Sequence, residues 1–312
     1  MAGAPARDVD RGPLRLATRA SPLAREQTRR VAQRLEAIGC PSVSVVIEPE
    51  ADRRLELTIG ELAGHGVFVG EIERCVALGD ADVAVHSAKD LPASAPLSDD
   101  GLVLAAVPER GDPRDALVGE SLSGLKPGAS VATGSARRLA QLASLRPDLC
   151  FVELRGNIAR RLERLPPGGA VVVAAAALER LGLSGQAAQI LPVSTMLPQV
   201  GQGAIALRCR AGDRRTLALL ARIDDDAAHR CVRAERAFLA RLGGGCDAPV
   251  GAYAVPADGH RPGWIELEGL LASADGHVVV RARKQGDDPE ALGGALAQAL
   301  LEEAGGRSLV AT

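Results

Sequence analysis

The chain has 312 residues, of which 46% are hydrophobic and 24% charged, and its formal net charge is −2. This composition is that of a globular protein with room for two or three domains, and it excludes disorder, collagen-like repeats and coiled coil as the main structure. The chain has no overall basic field and only five aromatic residues (three Phe, one Tyr, one Trp), so no nucleic-acid partner is expected.

The sequence carries no signal for export or for a membrane. No apolar run approaches the roughly 20 residues of a transmembrane helix, and residues 1–12 lack the apolar segment of a signal peptide. The six cysteines form no CxxC pair, which predicts neither a zinc site nor a disulfide framework, and the five histidines form no metal-binding pattern. We therefore expect a cytoplasmic protein with reduced thiols, no metal and, by default, a monomeric state.

The first predicted elements are a short strand, Leu14–Ala17, and a helix from Pro22 to about Ile38, with Ser21 as its N-cap. The elements predicted next are a strand at Val43–Ile47, a helix at Val67–Leu78, and strands at Ala81–Val85 and Leu102–Val107.

A second set of elements follows the turn-rich stretch Glu109–Arg114. Its predicted members are a strand at Ser130–Ala132, a helix at Ala136–Leu145, a strand at Phe151–Leu154, a helix at Ile158–Leu165, and a strand at Ala170–Ala174 leading into a helix that ends near Leu181. Strands alternating with helices predict parallel βαβ units in open α/β sheets, which bind ligands beyond the carboxyl ends of their strands.

The C-terminal part of the chain has a different pattern. A predicted helix, Cys231–Leu242, ends in three glycines followed by Cys246. The strand-like runs that follow are Gly251–Val255, Ile265–Leu271 and Val278–Arg283, and the final amphipathic helix is Pro289–Glu303. This order predicts a separate small α+β domain.

Arginine is concentrated in the second set of elements. Three of the 37 basic residues are lysine, so the other 34 are arginine, and seven of these lie within residues 137–164. Guanidinium groups bind carboxylates and phosphates in pairs of hydrogen bonds, which suits a polyanionic small molecule, although a solvated helix face is the alternative. Arg137, Arg138 and Arg155 follow predicted strands, which favours a role in binding an anionic ligand. Arg160 and Arg164 are expected to face solvent.

Two further positions could carry chemistry. Asp90, beside Lys89 and after an apolar strand, could stabilise a cation or move a proton; an exposed pair in a turn before Pro92 is the alternative. Cys246 is expected on a pliable glycine-rich loop, where a thiol is a nucleophile if its surroundings lower its pKa; a buried, inert cysteine is the alternative. The other five cysteines are expected to be buried and inert.

Several motifs occur in order between residues 14 and 251. They are Leu16–Ala24, Val83–Pro92, Asp112–Asp115, Thr133–Arg138, Leu154–Asn157, Leu178–Leu183, Leu197–Ala204 and Gly244–Gly251. Together they resemble the porphobilinogen deaminase (hydroxymethylbilane synthase) family, with His-Ser-x-Lys-Asp and Gly-Gly-Cys as the most specific elements.

The resemblance implies two periplasmic-binding-protein-like α/β domains, joined by two crossovers, and a small α+β domain. The first domain is discontinuous, with residues 9–105 and 204–224. The second spans 106–203, and the third spans 225–312 and carries the cysteine.

The resemblance also implies a reaction of tetrapyrrole (haem) biosynthesis. Four porphobilinogen units lose ammonia and are joined head to tail into linear hydroxymethylbilane, on a dipyrromethane cofactor held by a thioether to Cys246. The family's catalytic aspartate corresponds to Asp90. Its cofactor- and substrate-binding positions correspond to Arg19, Ser21, Ser87, Lys89, Thr133, Ser135, Arg137, Arg138, Arg155, Gly156, Arg161, Arg180 and Gln202.

Two departures from the family pattern stand out. Glu61 and His65 replace lysines that many members have in the segment Gly60–Gly70, and Thr133-Gly-Ser-Ala replaces the common Thr-Ser-Ser-Leu. The competing interpretations are a two-lobed anion-binding receptor, which needs neither Asp90 nor Cys246, and a phosphoribosyltransferase, which needs a phosphate site that the sequence lacks.

Overall fold

The computed structural model describes residues 12–47, 66–92, 101–243, 249–257 and 262–310. Its strands are β1 (Leu14–Arg19), β2 (Ser42–Ile47), β3 (Val83–Ser87), β4 (Leu102–Ala106), β5 (Asp115–Gly119), β6 (Ser130–Ala132), β7 (Cys150–Val152), β8 (Ala170–Ala174), β9 (Ala187–Ile190), β10 (Ile205–Arg210), β11 (Val250–Pro256), β12 (Ile265–Ala272) and β13 (Val279–Gly286). Its α-helices are α1 (Pro22–Ala37), α2 (Gly66–Ala77), α3 (Ala136–Leu145), α4 (Ile158–Glu163), α5 (Ala175–Arg180), α6 (Arg214–Leu220), α7 (Asp226–Leu242), α8 (Pro289–Gln298) and α9 (Arg307–Val310). Short 3₁₀ turns at Ala88–Asp90 and Ser184–Gln186 and a π-helical turn at Ala299–Glu303 complete the described elements.

The first sheet has the strand order β2-β1-β3-β10-β4. Strand β1 is parallel to β2 and β3, as expected for βαβ units, whereas β10 is antiparallel to both of its neighbours. The predicted parallel pairing thus holds for β1, β2 and β3, and the antiparallel strand β10 was not predicted. The chain leaves the first sheet at the end of β4 and returns at the same edge to begin β10, so β10 runs in the opposite direction.

The second sheet repeats this arrangement with the order β7-β6-β8-β5-β9. Strand β6 is parallel to β7 and β8, and β5 is antiparallel to β8 and β9. The sequence analysis missed β5, β9 and β10. Strand β5 follows directly on a turn-rich stretch, and β9 is too short and alanine-rich to show a strand pattern.

Helix α1 shows why these elements form where they do. The Ser21 hydroxyl accepts a hydrogen bond from the Ala24 N–H at 3.3 Å, and Pro22 occupies the first turn, as predicted. Val31 and Leu35 are buried against Leu14 and Leu16 of β1. The helix is therefore fixed at its start by a cap and along its length by apolar burial.

The third sheet is antiparallel in the order β11-β12-β13 and packs against α7 and α8. Phe238 of α7 is fully buried at the centre of this core. Helix α7 begins at Asp226, earlier than predicted, because Asp225 caps it by accepting from the Ala228 N–H at 2.9 Å. The predicted architecture of two open α/β sheets followed by a small α+β unit is confirmed.

The five described cysteines are free thiols. Cys40, Cys209 and Cys231 are buried and Cys75 is partly buried, as expected for inert side chains. Cys150 is exposed, so the prediction that it is buried was wrong; it lies on β7, which is an edge strand.

No helix in the described part of the chain is long and apolar enough to cross a bilayer.

Candidate active site

Asp90 and Lys89 lie on a short turn at the carboxyl end of β3. The 3₁₀ turn Ala88–Asp90 is closed by the Leu91 N–H, which donates to the Ala88 carbonyl at 3.3 Å. Ala88 and Leu91 are almost fully buried, whereas Lys89 and Asp90 are partly exposed. Two apolar side chains thus anchor the turn, while Lys89 and Asp90 keep partial access to solvent.

Charged groups from the second sheet converge on this turn. Burial and the nearby Arg138 lower the pKa of Lys89 to about 8, against the opposing effect of Asp90. Burial and the same Arg138 also lower the pKa of Arg161, again opposed by Asp90. The Asp90 charge thus acts on Lys89 and on Arg161, and Arg138 acts on both of these cations, which come from two different sheets.

Arg137 and Arg138 are held by a carboxylate that the sequence analysis did not assign to the site. Arg137 Nη1 lies 2.8 Å from Asp115 Oδ2, and Arg138 Nη2 lies 2.8 Å from Asp115 Oδ1. Asp115 is fully buried; burial alone raises its pKa, but the two guanidinium groups together hold that pKa below its usual range. Both arginines are thus partly occupied by a structural ion pair.

The ion pair leaves donors and an acceptor unused. Arg137 Nε and Nη2 are buried and have no hydrogen-bond partner among the described residues. The Gln202 amide donates to Asp115 Oδ1 at 3.0 Å and to the Pro113 carbonyl at 2.7 Å, while its Oε1 is buried and has no partner in the described part of the chain. A buried polar group left unpaired costs free energy, so a ligand that satisfied these atoms would gain that energy.

A narrow cleft runs between the first and second sheets beside the turn. Ser87, Lys89 and Arg180 line it, and Gln27 on α1 donates to the Ser87 hydroxyl at 2.7 Å. Arg180 Nη2 donates to the Gly203 carbonyl at 2.5 Å, and burial lowers the pKa of Arg180 to about 10. The cleft is therefore lined by positive charge from both sides.

The loop before α4 brings Arg161 into place. Gly156 has a φ of +112°, which favours glycine, and its carbonyl accepts from Arg161 Nε at 2.7 Å. Arg155 is half exposed and pairs with Glu153 on the same loop, at 2.5 Å from Nη2 to Oε1. The structure thus brings Arg161 towards Asp90, while Arg155 points to solvent with its own partner.

The remaining predicted positions end strands or begin helices. Arg19 ends β1 and is partly exposed, and Ser21 caps α1. The Thr133 hydroxyl accepts from the Ser135 N–H at 3.2 Å, and Ser135 is the N-cap residue of α3. Local backbone contacts thus occupy the Ser21 and Thr133 hydroxyls.

A buried ion pair joins the third sheet to the two crossovers, the segments 107–114 and 191–204 that connect the first and second sheets. The sequence analysis missed this pair too. Arg110 Nη1 lies 2.6 Å from Glu235 Oε1, and its guanidinium lies 5.0 Å from the ring centroid of Tyr253. Glu235 also accepts from the N–H groups of Gly201 and Ala254, at 2.6 Å and 2.9 Å. We call these five residues (Arg110, Gly201, Glu235, Tyr253 and Ala254) the junction. Arg110 and Glu235 are more than a hundred residues apart in the chain, so no pattern in a single sequence indicates that they pair.

Cys246, Glu61 and His65 lie outside the described residues. The structure does describe the residue that leads towards Cys246: Gly243 ends α7 in the left-handed conformation, with a φ of +66°.

A larger cavity of about 680 Å³ lies elsewhere, lined among others by Ala77, Gly101, Arg210 and Arg214. Strand β10 begins beside Ser87 and ends at Arg210, so this cavity is at the opposite end of the first sheet. Arg210 there donates to the carbonyls of Val76 and Ala81. The cavity is lined by none of the predicted site residues. Arg210 there is already hydrogen-bonded to backbone carbonyls.

Two open α/β sheets with a carboxylate and several cationic groups between them define a protein that binds a polyanionic small molecule. Comparison with known proteins gives the family. Residues 14–218 match the family domain described as "Porphobilinogen deaminase, dipyromethane cofactor binding domain", and residues 229–302 match "Porphobilinogen deaminase, C-terminal domain". The chain therefore belongs to the porphobilinogen deaminase family.

Curated relatives match over nearly their whole length. The porphobilinogen deaminase of Brevibacillus brevis is 43% identical, over 95% of this chain and 96% of that protein. Those of Roseiflexus castenholzii and Bacillus subtilis are 45% and 40% identical, over 96% and 95% of this chain and 99% and 95% of their own lengths. Among solved structures, the methionine-binding protein MetQ is similar with a TM-score of 0.42 and 12% identity, over 67% of this chain and 89% of that one.

These matches confirm the family, the deaminase activity and the dipyrromethane cofactor that the sequence motifs implied. The two competing interpretations, a receptor and a phosphoribosyltransferase, are wrong.

Proposed function

We propose that Asp90 is the catalytic residue of this porphobilinogen deaminase and that Cys246 carries the dipyrromethane cofactor. The observation that carries the first assignment is the convergence of Lys89, Arg138 and Arg161 on the Asp90 turn. Several positive groups around one carboxylate suit a substrate whose pyrrole rings each bear an acetate and a propionate, and whose reacting carbon becomes cationic.

The residues of the cleft fit an acidic cofactor. Arg137 keeps two buried donors, Nε and Nη2, that the described residues leave without partners, and such donors suit carboxylate oxygens. Arg137, Arg138 and Lys89 would hold the cofactor's acidic side chains, and Arg180 lines the same cleft as Lys89. Arg19 and Arg155 are proposed to bind on the motif match, although Arg155 pairs with Glu153 in this structure. When bound, the dipyrromethane supplies the nucleophilic pyrrole carbon to which the first substrate unit is joined. The other motif positions proposed to bind cofactor or substrate are Ser21, Ser87, Thr133, Ser135, Gly156, Arg161 and Gln202.

Asp90 acts on the substrate's pyrrole ring. Loss of ammonia from the aminomethyl group leaves a positive charge shared between the exocyclic carbon and the pyrrole nitrogen. A carboxylate fixed beside the pyrrole N–H stabilises that charge and accepts or returns a proton at the nitrogen. The buried anchors Ala88 and Leu91 keep this carboxylate in place while successive units react.

The catalytic assignment is tested by Asp90→Asn. We expect the variant to keep its dipyrromethane, because the arginines and the thiol are unchanged, and to lose roughly two to four orders of magnitude in turnover. Intact mass reports the cofactor, and release of hydroxymethylbilane reports turnover. Turnover within a few-fold of the wild type would remove Asp90 from this role.

The attachment site is tested by Cys246→Ser. We expect the mass of purified wild-type protein to exceed the sequence mass by one dipyrromethane and that of the variant to equal it, since a hydroxyl forms no thioether. Cys150→Ser is the control, because Cys150 is the exposed described thiol. An active Cys246→Ser protein, or loss of the added mass from Cys150→Ser, would contradict the assignment.

We further propose the division into residues 9–105 with 204–224, 106–203, and 225–312, each built on one of the three sheets. The grouping of β1–β4 with β10 in one sheet supports a discontinuous first domain. We also propose that the protein works as a cytoplasmic monomer without a nucleic-acid partner. Its net charge of −2 and few aromatic residues support the last point, and light scattering of the loaded protein tests the monomer.

A further inference from the structure

Helix α7, outside the first sheet, holds the turn that carries Asp90. Arg236 on α7 is 5% exposed. It donates from Nη1 to the Leu91 carbonyl at 3.3 Å and from Nη2 to the Pro92 carbonyl at 2.7 Å. Leu91 and Pro92 directly follow Asp90, so one planar guanidinium fixes the backbone on the carboxyl side of the acid.

Apolar packing holds the same segment. Leu91 is 2% exposed and belongs to a buried cluster that contains Ala228 and Val232 of α7 and Val69 of α2. The Leu91 side chain and carbonyl are thus both held by α7.

The residue before Arg236 secures the amino side of the turn. Glu235 accepts a hydrogen bond from the Gly201 N–H at 2.6 Å. Gly201 lies directly against Ala88 and Lys89, so closely that a Cβ on it would lie 2.9 Å from the Lys89 backbone nitrogen. Successive residues of one helix therefore hold Ala88–Pro92 from both ends.

The same helix leads to the cofactor cysteine. Helix α7 ends at Gly243, three residues before Cys246. At 1.5 Å per residue, Arg236 lies roughly 10 Å along the axis from that end. Because a continuous α-helix changes its length very little, a contact at Arg236 fixes the acid's turn relative to the C-terminal end of α7 at Gly243.

We propose that Arg236 is a positioning residue that fixes the Asp90 carboxylate by holding the backbone of Leu91 and Pro92. This inference rests on the role proposed above for Asp90.

The test is turnover by the cofactor-loaded Arg236→Gln enzyme. We expect full dipyrromethane attachment by intact mass, a kcat lowered by roughly 10- to 100-fold, and a KM within about threefold of the wild type, because misplacement of a reacting group by about 1 Å costs up to 10²-fold in rate. Arg236→Lys keeps the charge and one donor to the Pro92 carbonyl, so we expect its kcat to lie between those of Arg236→Gln and the wild type. It also serves as the test if the glutamine variant fails to fold.

A double variant separates positioning from general structure. In the Asp90→Asn background, Arg236→Gln should change kcat by less than about twofold, because its effect passes through the carboxylate already removed. Arg233→Gln is the matched control: Arg233 lies on the same helix, exposed, and pairs with Glu290 within the third sheet's unit, so its kcat should be unchanged.

The outcomes distinguish this inference from the proposed function. Wild-type turnover by Asp90→Asn would overturn the role of Asp90 and the positioning with it. A slow Asp90→Asn enzyme combined with a normal kcat in Arg236→Gln, or with equal fold losses in both backgrounds, would overturn the positioning alone.

Discussion

The pKa of Lys89 is lowered by its surroundings to a value near physiological pH. Its ammonium is partly buried and lies near Arg138, so its pKa falls to about 8, and neutral pH is close to the point at which it loses its proton. A carboxylate ligand would offset Arg138 and keep the proton on Lys89. We therefore expect the first binding event at this site to depend on the protonation of Lys89.

We expect cofactor loading of the unloaded protein by porphobilinogen to slow as the pH rises through about 8, because Lys89 is charged below that value and neutral above it. Lys89→Arg should keep its loading rate up to about pH 9.5, since a guanidinium does not titrate there. Intact mass against time, at a series of pH values, measures the rate. Superimposable profiles for the two proteins would show that the Lys89 charge is not used.

The same residue affects folding stability with the opposite sign. Above pH 8, and up to lysine's ordinary pKa, the unfolded chain holds a proton that the folded protein has released. The contribution of Lys89 to the unfolding free energy therefore rises with pH in this window, while its contribution to loading falls.

Gly201, on the second crossover, packs closely against the turn Ala88–Asp90. Gly201 has a φ of +72°, and a Cβ on it would lie 2.9 Å from the Ala88 carbonyl carbon and from the Lys89 nitrogen. Both facts oppose any larger side chain, so this element can pack against the turn only if residue 201 is glycine.

Gly201→Ala should therefore push the turn away from the crossover. We expect a loss of roughly 1–3 kcal/mol in unfolding free energy from the strained backbone, together with a lowered kcat at full cofactor occupancy. Gly212→Ala is the control, because nothing lies within 4 Å of a Cβ there and its φ is not positive. Denaturant unfolding and steady-state turnover measure the two effects; equal results for both variants would count against the close contact.

Elements with strong local signals were predictable from the sequence. Helix α1 has a serine cap and a proline, and β3 is a short apolar run followed by polar residues, so both were found within about two residues. Strand β5 was missed because it follows directly on a turn-rich stretch. The reversed direction of β5 and β10 was not predictable, because it depends on the two crossovers, which no local pattern records.

The candidate site divides in the same way. Asp90 and the arginines were assigned through motif and position. Asp115 belongs to one of the motifs but was given no role, because that role depends on Arg137 and Arg138 reaching back to it in the folded chain. Whether an arginine faces a ligand, a partner or solvent is set by tertiary contacts: Arg155 pairs with Glu153, while Arg161 approaches Asp90.

At the scale of the whole molecule, the junction joins the three sheets. Glu235 of α7 pairs with Arg110 on the first crossover, accepts from Gly201 on the second, and accepts from Ala254 on β11. Glu235 is fully buried and Arg110 is nearly so, and Glu235 is the carboxylate that neutralises the Arg110 charge there.

Glu235→Gln should therefore destabilise the protein by about 3–5 kcal/mol, since it removes the negative charge that compensates a nearly buried guanidinium. Glu290→Gln is the control, because the exposed pair with Arg233 is worth less than about 1 kcal/mol. Calorimetric melting of both variants compares them, and a melting temperature for Glu235→Gln as high as that of the control would show that the junction does not join the parts energetically.

The position of β10 has a consequence for synthesis of the chain. The strands of the second sheet, residues 115–190, all leave the ribosome before Ile205–Arg210 does. Until then the nascent chain lacks the strand that lies between β3 and β4, and both of those strands present unpaired backbone groups. The first sheet to begin synthesis is thus completed only after the second, and a chain truncated between residues 190 and 205 would lack the strand that joins β3 to β4.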